Sequence, residues 1–380
     1  MKKLLWFFLF LFLFPCKMTL AQEQNFKDEF YKEQLENSGA QKLFDELPNN
    51  VQSSLEGLGV DGLDFNKIVD INPEQILESI LSTARKKIPG PLRSISMILA
   101  LILLSAIFTA LKVSLGERPL AAVLDLVSAL CICLVVVSPI VNFIGRVAII
   151  INGATTFLLG YIPIMTGIMV TSGQAISSMA FGSMMVALGN LISLLSSGFL
   201  VPLLNVFLTV NIVCAISTRF KFVGLCELFA KLTKWVLAFV MTIFSGLLTT
   251  KTLIGSAMDS VNSKAMKFIL GSFVPIVGGA LGDAFLTVQG CVKVLKSGVG
   301  AFFIIAIGFI FLPVIVECIV WSFAMNFCAV ASEIFELSNV ATLLKNTGKV
   351  VSALMAIILC IVTILIISTV IVLNIGTTGT

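Results

Sequence analysis

Residues 157–167 read F-L-L-G-Y-I-P-I-M-T-G, and residues 268–279 read F-I-L-G-S-F-V-P-I-V-G-G. Each is an apolar run opened by Phe and interrupted by Gly and Pro. Phe157 and Phe268 lie 111 residues apart, as do Gly160 and Gly271, while Pro163 and Pro275 lie 112 apart. In a membrane protein, Gly/Pro-interrupted hydrophobic segments at matching places in two repeats point to a functional centre. The phrases therefore nominate Gly160, Pro163, Gly167, Gly271, Pro275, Gly278 and Gly279 as pore or gate residues.

Composition places the chain in a membrane. Its 380 residues are 58% hydrophobic and 12% charged, against about 25% charged in a soluble domain. Mean hydropathy is +1.05. That much apolar surface is solvated by lipid, and the expected class is an all-α, polytopic membrane protein. The net charge of +4 conceals an asymmetry: residues 22–88 hold 13 acidic against 7 basic residues, and residues 89–380 hold 8 against 15. Neither region is charged enough to imply nucleic acid.

The chain has no histidine, which removes His-activated nucleophiles, imidazole proton shuttles and His metal sites. Its nine cysteines include no C-x-x-C pair, and residues 22–88 contain none. Cysteines within apolar runs, such as Cys131 and Cys133, read as small buried hydrophobes. No cofactor or metal is expected.

Residues 1–21 read as a secretory signal: Lys2 and Lys3, an apolar core from Leu4 to Phe14, and a small-x-small site at Thr19-Leu20-Ala21. The alternative is an uncleaved anchor; either way residue 22 onward is extracytoplasmic. Residues 22–88 read as an acidic region of short amphipathic helices, with a loop at Gly57, Gly59 and Gly62. Its clearest helix starts at Pro73 after the N-cap Asn72, with Gln75 closing a capping box. Ile76, Leu77, Ile80 and Leu81 form its apolar face, and Arg85, Lys86 and Lys87 suit the negative end of its dipole.

The remainder, 89–380, divides into hydrophobic segments A (94–111), B (121–141), C (156–170) and D (179–199). The order then restarts with A at 202–217, B at 235–250, C at 268–285 and D at 299–312, and a third A (313–331) and B (350–373) close the chain. Pro91, Pro202 and Pro313 precede successive A segments at intervals of 111. Gly145 and Gly255 recur 110 apart, as do Gly198-Phe199 and Gly308-Phe309. Asn211-Ile-Val-Cys-Ala-Ile-Ser217 is echoed by Asn326-Phe-Cys-Ala-Val-Ala-Ser332. These markers define an internal repeat of about 111 residues: repeat 1 at about 91–201, repeat 2 at about 202–312, and a partial repeat at 313–375.

Topology turns on segment C. If C spans, the chain crosses ten times and the repeats are parallel; if C is re-entrant, it crosses eight times and they are inverted. Loop lysines and arginines favour neither arrangement. In the ten-span count Lys293 and Lys296 are cytoplasmic loop residues, and Arg146 lies in an outside loop.

Few ionisable residues fall in or beside the apolar segments: Asp125 in B, Asp283 at the end of the second C, and Glu317 in the third A. An intramembrane carboxylate is a functional candidate because charge in hydrocarbon is costly. Asp125 and Asp283 are also near enough to segment ends to reach the headgroups. Glu317 is deeper and suits either a structural hydrogen bond or a pathway. Between A and B of the second repeat, Leu225, Leu228, Phe229 and Leu232 recur at i, i+3, i+4, i+7. With Lys221, Lys231 and Lys234 they describe an interfacial helix, either a membrane-surface cuff or a cytoplasmic docking site. No enzyme motif and no Walker A sequence occurs, so any energy source belongs to a partner.

The whole chain resembles the stage III sporulation protein AE family of endospore-forming bacteria. The resemblance rests on the signal-like start, the short acidic region with I-N-P-E-Q-I-L (71–77), and the phrases S-P-I-V (138–141), G-Y-I-P (160–163) and F-V-P-I-V-G-G (273–279). It implies a non-enzymatic component of the multiprotein channel linking mother cell and forespore, inserted in the mother-cell-derived membrane around the forespore. Implied partners are the other proteins of the operon: a cytoplasmic secretion-type ATPase, small membrane proteins and ring-forming proteins, with a forespore-side partner. The bilayer is the remaining partner. Three roles compete: a membrane export platform, a stand-alone secondary transporter of a small solute, and an assembly scaffold without a conduit.

Overall fold

Pro139 and Pro163 lie inside one uninterrupted helix, Arg118–Thr171. The computed structural model describes residues 39–58, 60, 73–115, 118–216, 223–273 and 278–374, with side-chain surroundings at 109–126 and 266–289 outside that description. The signal stretch 1–21 lies outside the described residues.

The described chain is helical throughout. Two short helices, α1 (Lys42–Asp45) and α2 (Asn49–Glu56), precede the amphipathic α3 (Pro73–Arg85). The long helices follow: α4 (Pro89–Leu115), α5 (Arg118–Thr171), α6 (Ala175–Ser193), α7 (Val201–Ile216), α8 (Val223–Phe273), α9 (Gly278–Ile334) and α10 (Ser338–Asn374). A π-helical stretch, Leu194–Leu200, joins α6 to α7 without a reversal. Pro202 explains it: proline cannot donate to the carbonyl of residue 198, and a widened turn absorbs the lost bond.

Helix α3 is described from Pro73, and the expected N-cap Asn72 lies outside the described residues. Its buried face is narrower than expected: Ile76 and Ile80 are buried against the bundle, and Leu81 is exposed.

Six helices are long and apolar enough to cross a membrane among the described residues: Pro89–Phe108, Val127–Thr171, Ala175–Val213, Glu227–Val261, Gly290–Ile334 and Ser338–Asn374. Against the eight to ten crossings expected of the whole chain, the described residues contain these six. Segments B and C of the first repeat are one helix, α5; D and the third A are one helix, α9, which carries Pro313 in its interior. A helix that does not reverse crosses only once. The physical reason is that lipid offers no water to a broken backbone, so Gly and Pro that would end a helix in a soluble protein are carried inside one. Helix α5 passes through the first phrase, 157–167, and the second phrase is described only at 268–273 and 278–279.

Helix α9 is the most buried of the six and α8 among the least. Helices α9 and α10 form the most extensive pair, an antiparallel hairpin turned at Glu336, which adopts φ 57°. Gly348 lets α10 approach Met325 and Asn326, and Gly300 lies beneath Leu373 at the other end. Lys345 donates to Glu333 at 2.5 Å beside the turn. From α7, Asn211 Nδ2 donates to the Leu343 carbonyl and to Thr347 Oγ1 of α10, both at 2.9 Å. Its sequence echo behaves differently, since Asn326 Nδ2 donates to Ser322 O within α9.

Candidate functional site

The seam between α5 and α9 gathers the polar and aromatic groups of interest. The two helices are antiparallel: Phe143 meets Trp321, Arg146 meets Glu317, and Phe157 and Tyr161 meet Phe303. Arg146 Nη2 donates to Glu317 Oε1 at 2.6 Å. Glu317 is 6% exposed and Arg146 55%. The guanidinium also lies 5.5 Å from the Phe143 ring centroid, a cation–π contact. Glu317 is thus a buried, paired carboxylate within a candidate membrane-crossing helix, and its partner is a residue whose sequence position reads as a loop. Proximity in space across 171 residues has no local signal.

Further along the seam, Phe157 stacks on Phe303 at 5.4 Å between centroids and Tyr161 at 4.1 Å. Gly160 lies between these two aromatics in sequence, and a Cβ there would collide with the Glu46 carboxylate. The glycine is therefore a point of close approach rather than a helix break. Phe44, two residues before Glu46, lies 6.5 Å from Phe302. Pro163 is exposed on α5, and its carbonyl accepts a bond from Thr166 Oγ1 at 3.0 Å. Gly167 is exposed, with open space where a Cβ would stand.

The second phrase is only partly described. Gly271 falls in the last turn of α8, Gly278 and Gly279 open α9, and Pro275 lies outside the described residues. Asp125 is placed in α5 and Asp283 in α9, their side chains outside the description. The structure therefore brings together Glu317 with Arg146 and Gly160 with Glu46.

A buried polar knot lies where α5 turns into α6. Gly173, at φ 78°, makes the turn that only a residue without Cβ takes easily. Asp259 of α8, 4% exposed, accepts the N–H groups of Ile176 and Ser177 at 3.0 and 2.8 Å. It satisfies two of the unpaired amides at the start of α6 and places negative charge at the positive end of the helix dipole. Gly255 makes this possible, since a Cβ there would come 3.1 Å from Ser177 Cα. Lys296 of α9, 2% exposed, donates to Gln174 Oε1 at 3.0 Å. Sequence reading missed both Asp259 and Lys296 by placing them in loops. The available signal was the Gly255–Asp259 spacing of four, which puts both on one face of a helix.

The docking stripe is the start of α8 and not a separate interfacial helix. Leu225, Leu228, Leu232 and Lys234 are exposed, whereas Phe229 turns inward and stacks on Phe207 of α7 at 6.0 Å. Lys221 lies outside the described residues. Glu227 on the same stretch lies 3.8 Å from Lys349 of α10. An apolar pocket among α6, α8 and α10, lined by Leu188, Ile192, Leu237, Cys360 and Ile361, carries no polar surface. No group of three or more potential metal-ligating side chains occurs among the described residues.

Fold and site define an integral membrane protein: a helical bundle of long apolar helices with charged contacts held inside it. The chain belongs to the stage III sporulation protein AE family, whose model matches residues 63–376. It is similar to the stage III sporulation protein AE of Bacillus subtilis (strain 168), at 29% identity over 150 residues, covering 40% of this chain and 38% of the relative. The match thus spans about two-fifths of that relative's length. No solved structure matches.

Proposed function

We propose that this chain is a non-enzymatic membrane component, and the export platform, of the multiprotein channel that joins mother cell and forespore. In this reading it sits in the mother-cell-derived membrane around the forespore. A signal peptide directs residues 22–88 into the intermembrane space, and a duplicated unit of about 111 residues builds the membrane domain. An ATPase, ring-forming and small membrane proteins of the same operon, and a forespore-side protein complete the channel. Family membership supports the sporulation role.

The observation that carries the platform reading is the α5–α9 seam. It holds an ion pair whose carboxylate is buried and a Gly/Pro phrase within an apolar bundle. Charge kept inside such a bundle points to a path or a gate. Helix α8 offers the exposed Leu225, Leu228 and Leu232 with Lys234 as a docking edge for a cytoplasmic partner.

The test has two arms. The chain alone, reconstituted in liposomes, is expected to pass no solute; flux without partners would sink the platform reading and favour a stand-alone transporter. In sporulating cells, Pro163→Ala with Pro275→Ala is expected to leave complex assembly intact and to abolish late forespore gene expression. Lost assembly would instead identify a scaffold.

A further inference from the structure

Residues 40–55 are bound to the bundle by a small number of side chains. Ala40, Leu43, Phe44, Leu47, Val51 and Leu55 are buried, in one contiguous core with α5 and α9. The opposite face is solvated, with Gln41, Lys42, Asp45 and Glu46 exposed. The segment is thus amphipathic and lies with its apolar face on the bundle. Phe44 against Phe302 of α9 fixes its position, and the end of the exposed Glu46 side chain reaches back to Gly160 on α5.

The segment has little order of its own. Helix α1 has four residues and α2 eight, and neither has a side-chain N-cap hydrogen bond. Isolated helices shorter than about 12–15 residues are marginal in water. Gln52 Nε2 donates to the Phe44 carbonyl at 2.8 Å and ties α2 to α1. Its helical form is therefore supplied by the surface beneath it. An element of this kind opens locally at a free energy well below that of the whole fold. The long helices below it, by contrast, keep their backbone bonds whether the segment is seated or not.

We propose that residues 40–55 are a displaceable strap: folded while seated on Phe302 and the α5–α9 seam, unfolded when lifted, and closing that seam only in the seated state. The buried Leu43, Phe44, Leu47 and Val51 are the determinants, because they supply its hold on the bundle. The strap couples an extramembrane event, its capture or release, to exposure of the aromatic seam. It does so without moving the α9–α10 hairpin. This proposal does not depend on the channel reading above, since it concerns the chain alone.

The test uses the full chain in native membranes with the natural cysteines replaced. One pair, Phe44→Cys with Phe302→Cys, reports the seated strap through a short thiol cross-linker. A second pair, Glu333→Cys with Lys345→Cys, reports the α9–α10 hairpin. Adding Leu47→Asp, which places a charge at a buried position of the segment, is expected to lower the first cross-link roughly ten-fold and to leave the second unchanged, as local opening requires. Loss of both would make the segment a fixed part of the core and overturn the proposal, as would loss of neither. Hydrogen exchange of the full chain in nanodiscs supplies a second reading. Amides of 42–56 are expected to exchange faster in Leu47→Asp while those of 338–349 keep their rates; acceleration of both sets together would also overturn the strap.

Discussion

Arg146 of α5 and Glu317 of α9 meet at 2.6 Å, with the carboxylate buried and the guanidinium about half exposed. This one contact joins two antiparallel helices along the seam that also carries the first Gly/Pro phrase. A carboxylate so placed is costly without its cation, which sets the first prediction.

Removing Arg146 strands Glu317. Arg146→Met is expected to destabilise the protein by somewhat less than the roughly 3–5 kcal/mol typical of breaking a fully buried pair, because the guanidinium retains solvent access. Adding Glu317→Met should recover much of the loss. Unfolding in detergent of the two single variants and the double variant measures the coupling; additive losses would show that the pair contributes nothing.

Two glycines of α8 should respond in opposite directions to the same change. Gly246 has open space where a Cβ would stand, so Gly246→Ala is expected to stabilise by about 0.5–1 kcal/mol through helix propensity. Gly255 abuts the Ser177 backbone, which cannot yield as a flexible side chain can. Gly255→Ala should therefore lower the melting temperature. Equal shifts for both variants would mean that α8 does not touch α6 at Gly255.

Lys293 and Lys296 are three residues apart on α9, but only Lys293 is exposed. An amine-reactive reagent applied to the intact membrane protein is expected to modify Lys293 and to spare Lys296, with the sites assigned by mass spectrometry. Comparable modification of both would place Lys296 in solvent, as the loop reading of the sequence has it.

Asn211 holds α7 to α10 through its bonds to Leu343 and Thr347. Interhelical hydrogen bonds in membrane proteins average about 0.6 kcal/mol and reach about 1.7. Asn211→Ala should cost about 1–2 kcal/mol in detergent unfolding, the upper part of that range, since truncation also leaves a void. Asn326→Ala, whose bond lies within its own helix, should cost less.

Much of the architecture is legible in the residues themselves. Hydrophobic content announces helices in lipid, Pro73 marks the start of α3, and Glu317 stands out as a carboxylate in an apolar run. The errors share one cause. Gly, Pro, Lys and Asp were read as punctuation, because in water they end helices or form loops. In this bundle Pro163 and Pro313 lie within helices, and Lys296 and Asp259 are buried in a hydrogen-bonded knot. The contact made by Gly160 is illegible for a different reason: Glu46, whose carboxylate lies against it, is 114 residues away.

Local chemistry alone determined that this protein is helical, that it lies in a membrane, and that its charges inside the bundle would be few. Each follows from the cost of unpaired backbone or unpaired charge in hydrocarbon, which acts on every residue regardless of its neighbours. Only the tertiary structure decided that segments B and C of the first repeat form one helix, which cation accompanies Glu317, and that Glu46 lies against Gly160. Those outcomes depend on pairings between distant residues, and a pairing energy exists only once packing has brought both partners together.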